Sequence, residues 1–324
     1  MEIVALDIGG THARFVLAHV DCSKGAVRLV GDPVTLETSA YPNLQSAWTE
    51  YAHQLGRPLP DAAALAIAGP VTGATVQMTN NSWIIEPGAL DKQLGLSKVV
   101  VLNDFAAVAH AVATASAGEF VHLAGPDAPL PECGTVSVIG PGTGLGVAYF
   151  WRDGARYTVT ATEGGHVDFA PIDQIDDAIL ARLRQRHRRV SVERVVSGPG
   201  IVDICAALAA LERQSFADAD DRIIWEQALS GSDPLAVAAM ERFCLSLGSV
   251  AGDYALAHGA SAVVIAGGLG YRLRDVLRAS GFAQRFCAKG RYERMMAGLP
   301  VKLITHPQPG LLGAAAAFAM EHCR

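Results

Sequence analysis

A strand–glycine loop–strand pattern occurs twice in this chain of 324 residues, with the copies about 130 residues apart. The first copy is Val4–Thr11 (VALDIGGT), and the second is Val138–Thr143 (VIGPGT). In each copy another strand, a turn and a third strand follow. Few residues are identical, so the repetition lies in the pattern. Two similar halves, each with a Gly-Thr turn of phosphate size, predict a nucleotide bound between two domains.

Alternating strand and helix signals predict an α/β fold. The predicted strands are Ile3–Ile8, Ala13–Val20, Ala26–Leu36, Ala62–Ala68, Lys98–Leu102, Val136–Ile139, Gly146–Trp151, Arg156–Thr162, Val263–Ala266 and Val301–Thr305. The predicted helices are Pro42–Leu55, Phe105–Ala115, Ile175–Arg188, Gly200–Glu212, Ile223–Leu229, Pro234–His258 and Leu311–Glu321. We expect the proline-rich segment Gly125–Pro131 to be a surface connection near the domain boundary.

Composition makes several partners improbable. The net charge is −6, whereas a nucleic-acid binder usually has a basic footprint. The same charge gives no support for docking on anionic membranes. Apolar stretches such as Val263–Ala266 and Ala314–Met320 are much shorter than the ~20 residues of a membrane span. The N-terminus has neither a basic leader nor a cleavable apolar segment. We therefore expect a cytoplasmic protein without a nucleic-acid or membrane partner.

The six cysteines are scattered and form no CxxC pair. In a chain of this length that distribution indicates neither a disulfide framework nor a zinc site. We expect free, mostly buried thiols in a reducing compartment, and no zinc.

The first glycine loop, Asp7–Thr11, follows a predicted strand. Glycines let backbone N–H groups approach phosphate oxygens, and Thr11 adds a hydroxyl donor. Asp7 could hold Mg²⁺ through water, because this ion keeps much of its hydration shell. An ordinary hairpin turn is the alternative. No lysine follows a glycine, which excludes a GxxxxGK[ST] loop, and the HRD and DFG signatures of protein kinases are missing.

The second loop, Gly140–Gly146, is richer in glycine. The dinucleotide-binding spacing GxGxxG/A fails in all three possible frames, and a strand rather than a helix follows. A second hairpin that contacts phosphate fits better. A glycine-rich β-bulge is the alternative.

Asn103 and Asp104 follow a predicted strand and precede a predicted helix. That position is the carboxyl end of a strand in an open α/β sheet, where ligands bind. Asn and Asp are also good helix N-caps, so position alone leaves capping and catalysis open. An aspartate here stays ionised beside the helix N-terminus and can accept a proton from a substrate hydroxyl.

Glu163 and His166 lie in a loop, EGGH, whose carboxylate and imidazole suit the hydroxyls of a neutral polyol. Half of a metal site is the alternative. Glu193 precedes the turn Ser197–Gly200, and a surface salt bridge is its default interpretation. The arginine-rich run Arg182–Arg189 is expected to be a solvated helix face rather than a nucleic-acid contact.

Together these motifs resemble the bacterial glucokinase family, essentially from end to end. The segments are Asp7–Thr11, Asn103–Asp104, Gly140–Gly146, Glu163–Phe169, Glu193–Gly200 and Pro309–Gly313. The resemblance implies an actin-like ATPase fold, with two ribonuclease-H-like domains flanking a nucleotide and sugar cleft. It implies a small domain of residues 1–115 plus 308–324 and a large domain of residues 116–307. It also implies a homodimer and a role in glycolysis.

The resemblance further implies transfer of the γ-phosphate of Mg·ATP to the 6-hydroxyl of glucose. Asp104 corresponds to the catalytic base. The corresponding sugar ligands are Asn103, Asp104, Glu163, His166 and Glu193. The corresponding nucleotide-binding residues are Leu6, Asp7, Ile8, Gly9, Gly10, Thr11, Gly142, Thr143, Gly144, Gly267 and Gly268, with the last two as a turn near the adenosine.

One sequence feature separates this chain from a related group, and two alternative functions stay open. The related repressor–kinase group has a cysteine-rich zinc motif after its own ExGH segment, and Asp168–Asp177 contains no cysteine. A kinase for another hexose, such as mannose, fructose or glucosamine, stays open. So does a non-catalytic sugar sensor of the same fold.

Overall fold

The computed structural model describes residues 1–71, 73–78, 81–217 and 219–323. Its contacts divide the chain into two compact units. One comprises Met1–Ser116 and His306–Arg324, and the other comprises Ala117–Thr305. The predicted small domain ends at residue 115 and resumes at residue 308. The assignment of the phosphate loops, the catalytic aspartate and the sugar ligands to one domain or the other stays a prediction.

The strands and helices are numbered in chain order. The strands are β1 (Glu2–Ile8), β2 (His12–Asp21), β3 (Ala26–Glu37), β4 (Ala62–Ile67), β5 (Val76–Gln77), β6 (Ile84–Ile85), β7 (Lys98–Asn103), β8 (Phe120–Ala124), β9 (Cys133–Pro141), β10 (Leu145–Asp153), β11 (Arg156–Thr162), β12 (Ala260–Ile265) and β13 (Val301–Ile304). The α-helices are α1 (Leu44–Leu55), α2 (Leu90–Leu94), α3 (Asp104–Thr114), α4 (Gln174–Arg184), α5 (Gly200–Leu211), α6 (Asp221–Ser230), α7 (Pro234–Ala257), α8 (Gly267–Arg272), α9 (Arg274–Ala279), α10 (Phe282–Cys287), α11 (Glu293–Ala297) and α12 (Pro309–His322).

The first unit is built on a five-stranded sheet with the order β3-β2-β1-β4-β7. The first three strands pair antiparallel, and β1, β4 and β7 pair parallel. All six residues of β4 are buried, as expected for a parallel strand covered on both faces. The alanine-rich helix α12 packs on α3 so closely that a side chain at Gly313 would overlap the Ala107 carbonyl oxygen.

The second unit repeats this arrangement in a six-stranded sheet, β11-β10-β9-β12-β13-β8. Again three antiparallel strands are followed by parallel pairs, here β9–β12 and β12–β13. The shared topology confirms the predicted repeat. Strand β8 adds antiparallel to β13 and was missed by the sequence pattern. Gly125–Pro131 follows β8 inside this unit as an exposed or half-buried connection, and it begins nine residues after Ser116, where the first unit's opening segment ends.

The long helix α7 forms the centre of the second unit's helical layer and packs on α5, α6 and α10. Among the described residues, α7 alone has the length and apolar composition that could cross a membrane. However, 72% of its most apolar window is buried inside the protein. A buried core helix has the same length and composition. Trp225 of α6 meets Phe243 of α7 edge to face, with ring centroids 5.0 Å apart.

Two predicted elements have different limits. The helix predicted at Ile175–Arg188 is α4, which ends at Arg184, so the last arginines of the run lie beyond it. Gly267 and Gly268, predicted as a turn, are the first two residues of α8.

A partly buried ionic cluster joins the start of α4 to α7 and α10. Asp173 caps α4 and pairs with Arg242 at 2.8 Å and with Arg285. Asp176 lies 3.3 Å from Arg242 and 3.5 Å from Arg285. Burial alone would raise the pKa of Asp173, but its hydrogen bond to Arg242 and the nearby arginine charges lower it to about 2. For Asp176 burial prevails and raises the pKa.

The prediction that all six cysteines are free is wrong for one pair. Cys22, after β2, and Cys323, after α12, form a disulfide across a sequence separation of 301 residues. Sequence spacing gives no signal for this pair, because the fold alone brings the two positions together. The free thiols of Cys205 and Cys244 are buried, whereas Cys133 is exposed.

Candidate functional site

The first glycine loop joins β1 to β2 in the first unit. Gly9 donates its N–H to the His12 carbonyl at 2.9 Å, which closes the turn. Thr38 fixes the loop from the side, because its hydroxyl donates to the Gly10 carbonyl at 3.0 Å and its N–H to the Thr11 carbonyl at 3.0 Å. Among the described residues, no group accepts the N–H of Gly10 or Thr11. The loop therefore offers two backbone donors suited to an oxyanion.

Asp7 lies one residue before the end of β1 and points to one side of this loop. Its carboxylate pairs with Arg14 on the neighbouring strand at 3.2 Å. Burial raises its pKa, and the charge of Arg14 opposes part of that rise. The first turn of α12 is close by: a Cβ at Gly310 would lie 2.9 Å from the carboxylate. Glycine at 310 thus leaves room beside Asp7.

The chemistry of this position fits magnesium only in a limited sense. Mg²⁺ commonly takes one or two protein carboxylates and keeps several waters beside substrate phosphates. Asp7 supplies one carboxylate next to the loop donors. In the parts of the chain that the structure describes, no three His, Cys, Asp or Glu side chains cluster as a metal site. The residues therefore fit an ion held mainly by phosphate and water.

Asn103 ends β7 and is the N-cap of α3. Its side-chain oxygen therefore has the capping role that the sequence left open. That oxygen accepts the N–H groups of Phe105 at 2.9 Å and Ala106 at 3.0 Å, and the amide nitrogen donates to the Gly69 carbonyl at 3.1 Å. One amide hydrogen of Asn103 is left over by these bonds, since an amide nitrogen carries two. Capping thus leaves the residue one donor.

Asp104 is the first residue of α3, and its Oδ1 accepts the Phe105 N–H at 2.8 Å. The side chain is half-buried at the carboxyl end of the parallel strands β4 and β7. The positive end of the helix dipole stabilises a negative charge here. The position therefore favours an ionised carboxylate that can accept a proton.

In the second unit the other glycine loop joins β9 to β10 and is held by a carboxylate. The Gly142 N–H donates to the Gly144 carbonyl at 2.8 Å within the loop. Glu193 accepts the Leu145 N–H through Oε2 at 2.8 Å, and any side chain at Gly144 would collide with that carboxylate. Glu193 is therefore a loop anchor, and its default interpretation as a surface salt bridge is wrong.

Gly267 lies next to this loop. Its φ of +80° favours glycine, and a Cβ there would lie 2.7 Å from the Pro141 carbonyl oxygen. The Ala266 N–H donates to the Ile139 carbonyl at 2.8 Å, which extends the β9–β12 pairing to this point. Gly268 follows in α8. The structure thus brings Gly267 and Gly268 to the same end of the sheet as Gly142–Gly144.

Glu163 and His166 stand at the two ends of a short 3-10 turn, Gly164–His166, and not in a flexible loop. Glu163 Oε2 and His166 Nε2 are 3.9 Å apart, and both side chains are mostly exposed. Gly164 and Gly165 are buried against β10, where a Cβ on either would collide with Val147 or Leu145. The two candidate side chains therefore project from a turn that is closely packed on β10.

The first residue of β10 contacts the supports of all three candidate sugar ligands of the second unit, which are Glu163, His166 and Glu193. Leu145 contacts the turn at Gly165 through its carbonyl and bonds Glu193 through its N–H. The Val192 N–H also donates to the Val167 carbonyl at 2.9 Å, which joins the segments that follow His166 and precede Glu193.

Sequence reasoning missed several supporting residues. Arg14, Thr38 and Asn81 hold the first loop, the last through an amide donated to the Gly9 carbonyl at 3.2 Å. Tyr254 of α7 donates its hydroxyl to the Gly164 carbonyl, and burial raises its pKa to about 12, so it stays a donor. Of these residues, only Arg14 could have been found from the sequence, because a hairpin around the glycine loop pairs it directly with Asp7.

Comparison with known proteins defines the class. A family model described as glucokinase matches residues 4–321. A glucokinase of Zymomonas mobilis subsp. mobilis is 55% identical over 322 residues, covering 99% of each chain. The solved structure of a glucokinase from an Antarctic psychrotroph has a TM-score of 0.85 at 34% identity, covering 98% of each chain.

A ROK-family glucokinase from Streptomyces griseus, solved with glucose and AMPPNP, has a TM-score of 0.62 at 24% identity and covers 98% of this chain and 99% of that chain. At that identity the likeness shows the fold. The two units and their loops define a sugar kinase with the actin-like ATPase fold. This chain belongs to the glucokinase family.

Proposed function

We propose that the protein transfers the γ-phosphoryl group of ATP to the 6-hydroxyl of glucose, giving glucose 6-phosphate and ADP. The observation that carries the proposal is Asp104, a carboxylate in the first turn of α3 at the ligand-binding end of a parallel sheet. Membership of the glucokinase family supports a role for this carboxylate in transfer to a sugar hydroxyl.

Asp104 accepts the proton of the 6-hydroxyl as the oxygen attacks the γ-phosphorus. The bond from that phosphorus to the bridging oxygen breaks, and ADP leaves. Phosphoryl transfer of this kind depends on positioning and charge stabilisation more than on covalent help. Asp104 is held for this role by the Phe105 N–H, and its charge is stabilised by the helix terminus.

The backbone loops bind the triphosphate. Gly10 and Thr11 provide N–H donors in the first loop, with Leu6, Asp7, Ile8 and Gly9 supporting them. Gly142, Thr143 and Gly144 provide the second loop, and Gly267 and Gly268 lie beside the adenosine. Asp7 would hold Mg²⁺ through water, and the ion would neutralise charge on the phosphates when bound.

Glucose is bound through its other hydroxyls by Asn103, Glu163, His166 and Glu193. Asn103 donates its remaining amide hydrogen. Carboxylate and imidazole groups suit polyol hydroxyls because each can accept more than one hydrogen bond or switch between donor and acceptor. An analogue without one hydroxyl would leave the polar partner of that hydroxyl unpaired in the complex, which discriminates against the analogue.

The wider setting is also part of the proposal. Units 1–116 with 306–324 and 117–305 correspond to the small and large domains of the family. The protein acts in glycolysis in the cytoplasm as a homodimer, without zinc, nucleic acid or membrane.

Steady-state ADP release with Mg·ATP tests the proposal when glucose, mannose, fructose and N-acetylglucosamine are compared. We expect glucose to give the highest kcat/KM. 6-Deoxyglucose, which lacks the acceptor oxygen, should inhibit without turnover. Faster turnover with another sugar would overturn the specificity, and binding of glucose without turnover would indicate a sugar sensor.

A further inference from the structure

One peptide group lies midway between the two candidate sugar ligands Glu163 and His166. It joins Gly164 to Gly165. A peptide with glycine on both sides has few steric limits on its rotation, because neither neighbour carries a Cβ. The direction of Glu163 relative to His166 therefore depends on the contacts that fix this peptide.

The carbonyl of this peptide accepts two hydrogen bonds, which use both of its lone pairs. The Val167 N–H donates to the Gly164 carbonyl at 3.0 Å and closes the turn. The hydroxyl of Tyr254, on α7, donates to the same carbonyl. Among the described residues, no other side chain donates to a carbonyl of Gly164–His166. Tyr254 therefore ties this turn to the central helix of its unit.

Packing holds the turn mainly from the β10 side. Both glycines lie so close to that strand that no Cβ fits on either. On the side of α7, the segment Val167–Ala170 borders a cavity of about 260 Å³ whose lining includes Tyr254. A cavity removes van der Waals contacts between the groups that face it. The hydroxyl bond of Tyr254 therefore carries more of the restraint from the α7 side.

The ring of Tyr254 is itself held in place. It stacks on His258, with ring centroids 5.6 Å apart and 23° between the ring planes. His258 Nδ1 is 2.8 Å from the hydroxyl of Ser137, which is fully buried on β9. Tyr149 of β10 packs on the same imidazole, with centroids 4.6 Å apart. His258 and Ser137 thus connect Tyr254 to the sheet.

We propose that Tyr254 is a positioning residue for glucose. Its hydroxyl fixes the Gly164 carbonyl and so sets the relative directions of Glu163 and His166. Tyr254 acts through the turn and not by contact with the sugar. The consequence for glucose rests on the proposed function, whereas the restraint on the turn does not.

Steady-state kinetics of Tyr254→Phe test the effect on glucose, because this variant keeps the stacked ring and removes only the hydroxyl. We expect KM for glucose to rise about three- to tenfold, as for one lost hydrogen bond. The values of kcat and of KM for ATP should change less, because the hydroxyl bond reaches neither Asp104 nor a glycine loop. Phe243→Leu, about three turns earlier on α7, is the control. It loses a contact with Trp225 and should lower stability without changing KM for glucose.

An unchanged KM for glucose in folded Tyr254→Phe would overturn the proposal. An equal rise in Phe243→Leu would overturn it too, since the effect would then follow stability alone. Ser137→Ala is a second, independent variant, which removes the support of the His258 ring. We expect it to raise KM for glucose less than Tyr254→Phe does, and to add little when the two are combined, because both act through one ring. Fully additive effects would contradict that shared path.

Hydrogen exchange of the Val167 amide, followed by NMR, tests the restraint without an assay of activity. This N–H shares the Gly164 carbonyl with Tyr254, so it should exchange several-fold faster in Tyr254→Phe than in wild type or Phe243→Leu. Equal exchange in wild type and Tyr254→Phe would overturn the restraint. Faster exchange in Tyr254→Phe, together with no glucose turnover by wild type, would instead refute the proposed function and the effect on glucose with it.

Discussion

The carboxylate of Glu193 accepts the backbone N–H of Leu145 at 2.8 Å, directly after the loop Gly142–Gly144. The same oxygen occupies the space that a side chain at Gly144 would need. Glu193 therefore has a structural partner in the second glycine loop, in addition to its proposed role toward glucose. These two roles can be separated by substitution.

Glu193→Gln keeps an oxygen that can accept the Leu145 N–H but removes the charge. We expect a higher KM for glucose with little change in KM for ATP. Glu193→Ala also loses the loop anchor, so KM for ATP should rise about tenfold or more, as for a lost hydrogen bond to a charged group. Steady-state kinetics with each substrate varied provide the test. An unchanged KM for ATP in Glu193→Ala would remove the anchor role.

Gly313→Ala should destabilise the protein by about 1–3 kcal/mol or more, because the new methyl group overlaps the Ala107 carbonyl and forces α12 away from α3. Urea denaturation measures the loss. Gly88→Ala is the matched control, since a Cβ there meets nothing within 4 Å and φ is not positive. Equal stability of the two variants would contradict the close helix packing.

Asp173 should make the protein sensitive to acid. Its folded pKa of about 2 lies below the ordinary value of 3.8, so its ionised form stabilises the fold above about pH 4, and this stabilisation is lost as the pH falls toward 2. Since the side chain is 37% exposed, solvent screening reduces the contribution to about 1 kcal/mol. Asp173→Asn can still cap α4 and should flatten the pH dependence of the free energy of unfolding as the pH falls from about 4 toward 2.

Urea titrations at several pH values test this prediction, with Asp275→Asn as a control at a mostly exposed carboxylate of α9. Asp176 acts in the opposite sense, because burial and the charge of Asp173 raise its pKa, which favours the folded state at low pH. Asp173→Asn removes that charge and therefore weakens this opposing effect as well. Parallel curves for wild type and Asp173→Asn would refute the role of Asp173.

The Cys22–Cys323 disulfide predicts the thiol content of protein purified without a reductant. Of the six cysteines, Cys133, Cys205, Cys244 and Cys287 are free. A colorimetric thiol titration of the denatured protein should give four thiols per chain, and six after reduction. Cys22→Ser leaves five cysteines and no partner for Cys323, so it should give five thiols both without and after reduction. Six thiols in the unreduced wild-type protein would contradict the pairing.

The strands and loops were largely predictable because buried parallel strands read as continuous apolar runs and glycines mark their ends. The runs Ala62–Ala68 and Lys98–Leu102 correspond to β4 and β7 within one residue. β8 was missed because FVHLA is short and lies at a sheet edge, where its burial is partial. The helix α8 was missed because two glycines favour a turn.

Candidate site residues could be proposed from the sequence, but their partners could not. Nothing near Glu193 in the chain indicates Leu145, since the two are 48 residues apart. The cap made by Asn103 was one of two open alternatives, and the hydrogen bonds to Phe105 and Ala106 favour it. Tyr254 has no local signal, because its contact with Gly164 arises only from the packing of α7.

Asp104 is the proposed base of a glucose kinase, and its substitution tests that role. A coupled assay that detects glucose 6-phosphate, with Mg·ATP and glucose, measures this directly for wild type and for Asp104→Asn, which can keep the hydrogen bond to Phe105. Asp91→Asn, in the first turn of α2, is the matched control. We predict glucose-dependent turnover by wild type and the control, and a loss of about 10²–10⁴-fold in kcat for Asp104→Asn. Near-normal kcat in Asp104→Asn, or no glucose 6-phosphate from the folded wild-type protein, would contradict the claim.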